Sequence, residues 1–317
     1  MAIEIKLRIG LMIGLSLVSG LARSDASSAA PHAESLGWRL GVQAYSFNKL
    51  TFFETVERVA KLGLGYVEAY PNQRLSQETG ALTFDHNLPP DMVRKVKAKL
   101  AEAKVRLVNY GVVPLPNDET ACREVFDFAN TMDIETLISE PPDDALDLVD
   151  RLAQEYRVSV AMHNHPKPSG NWDPAKVLAE VEGRSKYLGA CVDVSHWQRS
   201  GVDVVDALKR LEGRIVCFHL GEVDRDARDA YLEHGDDPKD PIFSAMAKRI
   251  QGIPNVVFGA ESGTGEMRAW LAEIRRQGIQ GVFSIEAFYG EPPDQAMDSM
   301  RKSIAQFETL AAEIANH

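Results

Sequence analysis

Residues 188–220 read LGACVDVSHWQRSGVDVVDALKRLEGRIVCFHL. Two apolar runs, Leu188–Asp193 and Ile215–Leu220, enclose a stretch with apolar residues at helical spacing, Val204–Leu211, opened by Asp203. A short β-rich run, a capped helix and a second β-rich run make a strand–helix–strand unit. The crossover helix returns the chain parallel to its first strand. Each run ends on residues that an apolar strand does not favour. Asp193 closes the first, and His219 stands next to the end of the second.

The same unit recurs outward in both directions. Six more β-rich runs are Arg39–Tyr45, Tyr66–Glu68, Arg106–Tyr110, Thr136–Ser139, Ser159–His163 and Val282–Glu286. Helical spacing fills the intervals at Phe52–Leu62, Pro90–Ala103, Ala121–Met132, Ala145–Tyr156, Pro174–Val181 and Met267–Gln277, and Asp294–Ile314 closes the chain. Eight such units predict an α/β fold, a (β/α)8 TIM barrel in one domain over residues 37–317. No GxGxxG follows the first strand, so an open dinucleotide-binding sheet has no support. After strand seven the chain runs from Gly221 to about Gly265, with a helical stretch at Ile242–Ile250. A βα excursion of that length is expected to form a lid or an oligomer contact.

The chain of 317 residues opens differently. Lys6 and Arg8 precede an uncharged stretch from Ile9 to Ala22, followed by small residues, which is the layout of a secretory signal peptide over residues 1–26. A small-residue linker is expected at 27–36. Export to the periplasm or the medium follows from this reading, with no membrane attachment after cleavage. The formal net charge is −11, and loss of Lys6, Arg8 and Arg23 with Glu4 and Asp25 makes it −12. That balance argues against a nucleic-acid partner and favours a small neutral or weakly charged substrate. Cys122, Cys191 and Cys217 show no CxxC pairing, and the last two lie in apolar runs as core thiols.

In a barrel the C-terminal strand ends converge on one mouth. Here those ends carry Glu68, Glu140, His163, His165, Asp193, His196, His219 and Glu286. Ionisable groups at the ends of apolar strands need partners, and a shared divalent cation serves several at once. Strand alternation sends His163 and His165 to one side and Asn164 to the other. The set His163, Asp193, His219 and Glu286 offers mixed nitrogen and oxygen donors, suited to one Mn²⁺, Fe²⁺, Co²⁺ or Zn²⁺. Glu68 is read as a hydroxyl ligand or an ion-pair partner. Arg225 is read as a substrate-orienting or exposed loop cation. Glu140 is read as a helix-start carboxylate or an added ligand.

From about residue 38 onward the chain resembles the xylose-isomerase-like TIM barrels, or sugar phosphate isomerases/epimerases. The resembling pieces are GVQAYSF, LGLGYVEAY, VAMHNHP, CVDVSHWQRSG, GRIVCFHLGEV and GVFSIEAFY. The resemblance implies metal ligation by His163, Asp193, His219 and Glu286, substrate contacts from Glu68, His196 and Arg225, and catalytic roles for His165 and Glu286. Two departures stand out. His163 replaces the glutamate of ketose 3-epimerases, and Gly221 stands where many relatives carry lysine. The expected chemistry is proton abstraction next to the carbonyl of an unphosphorylated sugar, with isomerisation or epimerisation as the outcome. Elimination from a 3-keto-glycoside is an alternative on the same site. A metal-dependent phosphodiesterase and a non-catalytic carbohydrate-binding barrel, with a homo-oligomer in any case open, remain as other readings.

Overall fold

The computed structural model describes residues 28–234, 241, 244–245, 255–288 and 291–316. The signal-like segment 1–26 lies outside them, as does the helical stretch Ile242–Ile250 apart from residues 244 and 245. No helix among the described residues is long and apolar enough to cross a membrane.

Eight parallel strands close into a barrel: β1 (Trp38–Gln43), β2 (Tyr66–Ala69), β3 (Arg106–Gly111), β4 (Thr136–Ser139), β5 (Ser159–His163), β6 (Leu188–Asp193), β7 (Ile215–Leu220) and β8 (Gly281–Ile285). Trp38 pairs with Gly281 and Val42 with Ile285, so the last strand seals against the first. Helices surround this barrel, and their starts match the sequence signals. Thr51 and Glu54 form a reciprocal capping box at Phe52–Lys61. Asp173 and Asp203 accept backbone N–H groups at the next helix starts.

Two features depart from expectation. Residues 31–35 of the expected linker form a short helix, Pro31–Ser35, that buries Ala33. The backbone N–H groups of His32 and Ala33 donate to the Glu308 carboxylate on the terminal helix, Pro293–Ala315, at 2.7 and 3.1 Å. Small residues that read as spacer are small because they pack. The second departure is a two-stranded ribbon, Gln73–Arg74 against Thr83–Phe84, inserted after β2.

The two-residue period of the strands positions the chemistry. Tyr66, Val108, Ile138, Ala161, Cys191, Cys217 and Val282 form one buried cluster, contributed by seven of the eight strands. Alternate residues such as Val160, Met162, Val192, Phe218 and Phe283 belong to the larger core shared with the helices. Two residues beyond Tyr66, Ile138, Ala161, Cys191, Cys217 and Val282 stand Glu68, Glu140, His163, Asp193, His219 and Ser284. The polar layer is therefore the next storey above an apolar floor. All three cysteines are buried and free.

Candidate metal centre

An open cavity of about 710 Å³ sits over that layer. Its walls include Gln43, Tyr45, Tyr70, Glu140, His163, His165, Asp193, Ser195, His196, Arg199, His219 and Glu286. The four expected ligands come together: one donor atom from each of His163, Asp193, His219 and Glu286 lies within 4.8 Å of the others. His163 Nε2 is 3.1 Å from His219 Nδ1 and 3.9 Å from Asp193 Oδ2. Glu286 Oε2 approaches His219 Nδ1 at 2.7 Å. That contact lacks hydrogen-bond geometry, so Glu286 Oε2 is a buried oxygen without a hydrogen-bond partner, as is the Nδ1 nitrogen of His163. Orphaned donor atoms at a convergence of imidazoles and carboxylates fit a divalent cation.

Two of the four ligands, Asp193 and His219, are braced. Asn164, pointing away from the two histidines as strand alternation requires, accepts from the Asp193 backbone N–H at 2.8 Å and donates to the Asp193 carbonyl at 2.9 Å. This clamp joins the ends of β5 and β6. Ser195 Oγ and the His196 backbone N–H both donate to Asp193 Oδ1, at 2.7 and 2.8 Å, which leaves Oδ2 for the cluster. His219 has Nδ1 on the cluster side and Nε2 at 2.7 Å from Glu68 Oε1. Ser284 and Asn109 donate to the other Glu68 oxygen at 2.8 and 3.2 Å.

The electrostatics match a site built for a cation. Burial pushes the Asp193 carboxyl up, and the Glu286 charge adds to the push. Burial opposes ionisation of Glu286, yet the His219 charge and contact outweigh it and bring its pKa to about 2. For His219, burial works against protonation, while the charges of Glu68 and Glu286 raise its pKa well above the usual histidine range. His196 goes the other way. Burial and then the Arg199 charge hold it well below that range, so it is neutral.

Of the residues expected at the substrate, Glu68 and Arg225 do not line this cavity. Glu68 is fully buried and reaches no part of the cavity wall; it orients His219 instead. A strand-end carboxylate at an inward position need not reach the mouth when an imidazole stands above it. Arg225 is exposed at the start of the helix Arg225–His234, and its Nη2 donates to the Gly263 carbonyl at 2.8 Å. It secures a loop rather than lining the cavity. His196 does line the cavity, with Nε2 3.5 Å from Asp193 Oδ2. His165 stands beside His163, ring centroids 4.5 Å apart, with its Nδ1 in close contact with Glu140 Oε1.

Several wall residues carry no signal in the sequence. Arg199, 2% exposed, ends the short helix Val194–Arg199 and places Nη1 3.3 Å from His196 Nδ1. It is a cavity cation that apolar periodicity does not reveal. Tyr45 and Tyr70 meet edge to face at 5.2 Å. Gly221, the position of the absent lysine, has a steric reason. A Cβ there would fall 1.9 Å from Asn255 Nδ2 and 3.0 Å from Ser195 Cβ. Next to it, the buried Glu222 accepts the backbone N–H groups of Gly259 and Gly265 and ties the long excursion to the barrel.

Comparisons with known proteins agree with this architecture. A family model described as xylose isomerase-like TIM barrel matches residues 143–307, more than half of the chain. An uncharacterized protein from Parabacteroides distasonis ATCC 8503 is 25% identical, with 86% of this chain and 99% of that one covered at a TM-score of 0.63. A xylose isomerase domain protein from Planctomyces limnophilus is 15% identical, with 88% and 99% covered and a TM-score of 0.61. A D-psicose 3-epimerase, crystallised in the presence of D-fructose, is 11% identical, with 86% and 99% covered and a TM-score of 0.61. The last two show likeness of fold alone. No curated protein sequence matches the chain. With over half of its length matched by the family model and a closed eight-stranded parallel barrel around the site, the chain belongs to the xylose isomerase-like TIM-barrel family.

Proposed function

We propose that this chain is an exported, divalent-metal-dependent enzyme that moves a proton on the carbon next to a carbonyl of an unphosphorylated sugar or sugar derivative. The observation that carries the reading is the convergence of His163, Asp193, His219 and Glu286 beside a carboxylate-backed His165 at the cavity wall. A divalent ion held by those four side chains would supply positive charge that makes a neighbouring C–H acidic.

The chain's own residues do the rest. Glu140 takes the Nδ1–H of His165, which leaves the Nε2 lone pair as a proton acceptor. The pKa of Glu140 lies at about 2, because the nearness of His163 and His165 outweighs its burial, so it remains an acceptor near neutral pH. His196, kept neutral and with its ring stacked 5.3 Å from that of His165, and Arg199 beside it offer donors to sugar oxygens. Return of the proton to the adjacent carbon gives an isomer, and return to the other face gives an epimer. Loss of a β-substituent gives elimination, the outcome for a 3-keto-glycoside. All three share the first proton transfer. The N-terminal charge and apolar pattern supports export, and the cavity offers Arg199 rather than a lysine-rich phosphate site.

The test is solvent deuterium exchange into free ketoses and 3-keto-glycosides with Mn²⁺, Co²⁺ or Zn²⁺ present. Exchange with about one ion bound per chain is expected, and none in an Asp193→Ala/Glu286→Ala double variant. Sugar binding without exchange under any metal would make the barrel a binding protein and overturn the reading.

A further inference from the structure

We propose that Glu140, His165 and the outer nitrogen of His163 form a second divalent-ion site, of the zinc or cobalt class, whose occupation switches the enzyme off. Donor atoms of these three residues lie within 4.8 Å of one another. His163 shares its two edges between two groups. Its Nε2 faces His219 Nδ1 at 3.1 Å, while its Nδ1 lies 3.5 Å from Glu140 Oε1. That Nδ1 is buried in a residue 2% exposed and has no hydrogen-bond partner. The same Glu140 oxygen is also in close contact with His165 Nδ1. Two ring nitrogens therefore aim at one carboxylate oxygen from different strand-five positions. With both ions bound, His163 bridges them as an imidazolate, its ring proton released to solvent, and together with the neutral His165 ring and the Glu140 carboxylate it makes the donor set of a three-ligand zinc site with an open position. Such a set disfavours Mg²⁺ and Ca²⁺, which prefer oxygen donors.

The inhibitory consequence rests on the reading of His165 as the base; the ion site itself does not. A neutral imidazole carries one proton. With that proton on Nδ1, held by Glu140, the Nε2 lone pair is available to the substrate. An ion on Nδ1 takes the place of that proton, and the neutral ring then carries its proton on Nε2. The acceptor becomes a donor, and no atom remains to take the substrate proton. The half-exposed position of His165, whose side chain is 44% accessible, leaves this outer site open to ions from solution.

The experiment titrates stripped full-length protein with Zn²⁺ and with Co²⁺, following stoichiometry by calorimetry and elemental analysis and the Co²⁺ absorption spectrum. Two successive ions are expected in the wild type. Glu140→Gln and His165→Asn should each keep the first ion and lose the second, and thermal melts of both variants check that they fold. Deuterium exchange should rise with the first equivalent of Zn²⁺ and fall at least tenfold with the second. One ion only in the wild type, or a second ion that survives both substitutions, overturns the site. A second ion that leaves exchange undiminished overturns the switch. No bound ion at all overturns both this proposal and the metal-dependent reading, and so is distinct from the other outcomes.

Discussion

Two histidine–glutamate pairs adjoin the His163 ring, and they differ chiefly in burial. His219 and Glu68 have side chains 1% and 0% accessible; His165 and Glu140 have side chains 44% and 26% accessible. The first pair sits in the polar storey directly above the apolar floor, with Ser284 and Asn109 filling the remaining acceptor sites of Glu68. Nothing there can turn, and His219 presents Nδ1 to one place. The second pair stands at the rim, where a ring can meet substrate and exchange protons with water. The same two residue types thus make a fully buried pair in one place and a partly exposed one in the other. The distinction comes from depth in the barrel: His165 stands four residues past the floor of β5 against two for His219 in β7, and Glu140 lies beyond the end of β4 whereas Glu68 lies inside β2.

Substitutions can break or sharpen that contrast. The largest effect is expected from His165→Asn at the rim. Deuterium exchange should fall by roughly 10²–10⁴-fold, the ordinary worth of a positioned general base. The metal content at the first site should be unchanged, as elemental analysis would read. If the first ion were lost with His165, the rim pair would be a strut like the other.

Glu68→Gln tests the buried pair. Loss of the carboxylate behind a ligating histidine should weaken the first ion by about 10–100-fold in competition with a chelator. Exchange at saturating metal should change much less. The reverse pattern, normal affinity with lost turnover, would return Glu68 to the substrate.

The smallest effect concerns pH in Glu140→Gln. Burial lowers the His165 pKa, but the hydrogen bond and charge of Glu140 win and raise it. The base form is deprotonated, so activity rises as pH rises through that pKa. Removing the carboxylate lowers the pKa, and the acidic limb of the pH–rate profile should move to lower pH. A limb that stays in place would assign it to another group.

Much of this contrast is legible in the amino-acid sequence. All eight strands fall within two residues of the runs read from alternation and β-rich composition, because a parallel strand buried on both faces is an unbroken apolar segment. The four candidate ligands are legible for the same reason: an ionisable residue ending such a run has few places to go. Depth is harder to read. Glu68 and Glu286 both end apolar runs, yet Glu68 lies inside β2 and faces inward below the mouth, while Glu286 stands one residue beyond β8. Arg225 and Arg199 are indistinct in sequence because loops and one-turn helices lack a period that would point a side chain. Arg225 turns out to the Gly263 carbonyl, and Arg199 turns in beneath Asn255. Residues 31–35 hide a docked helix behind a composition shared by spacers and tight packing.

The crowding around Gly221 ties that position to the cavity wall. Asn255 and Ser195 occupy the volume into which any side chain at 221 would grow. A side chain introduced there displaces the Asn255 amide, and Arg199 loses a hydrogen-bond acceptor with it. Residue 221 is thereby coupled to the cavity cation through one shared amide.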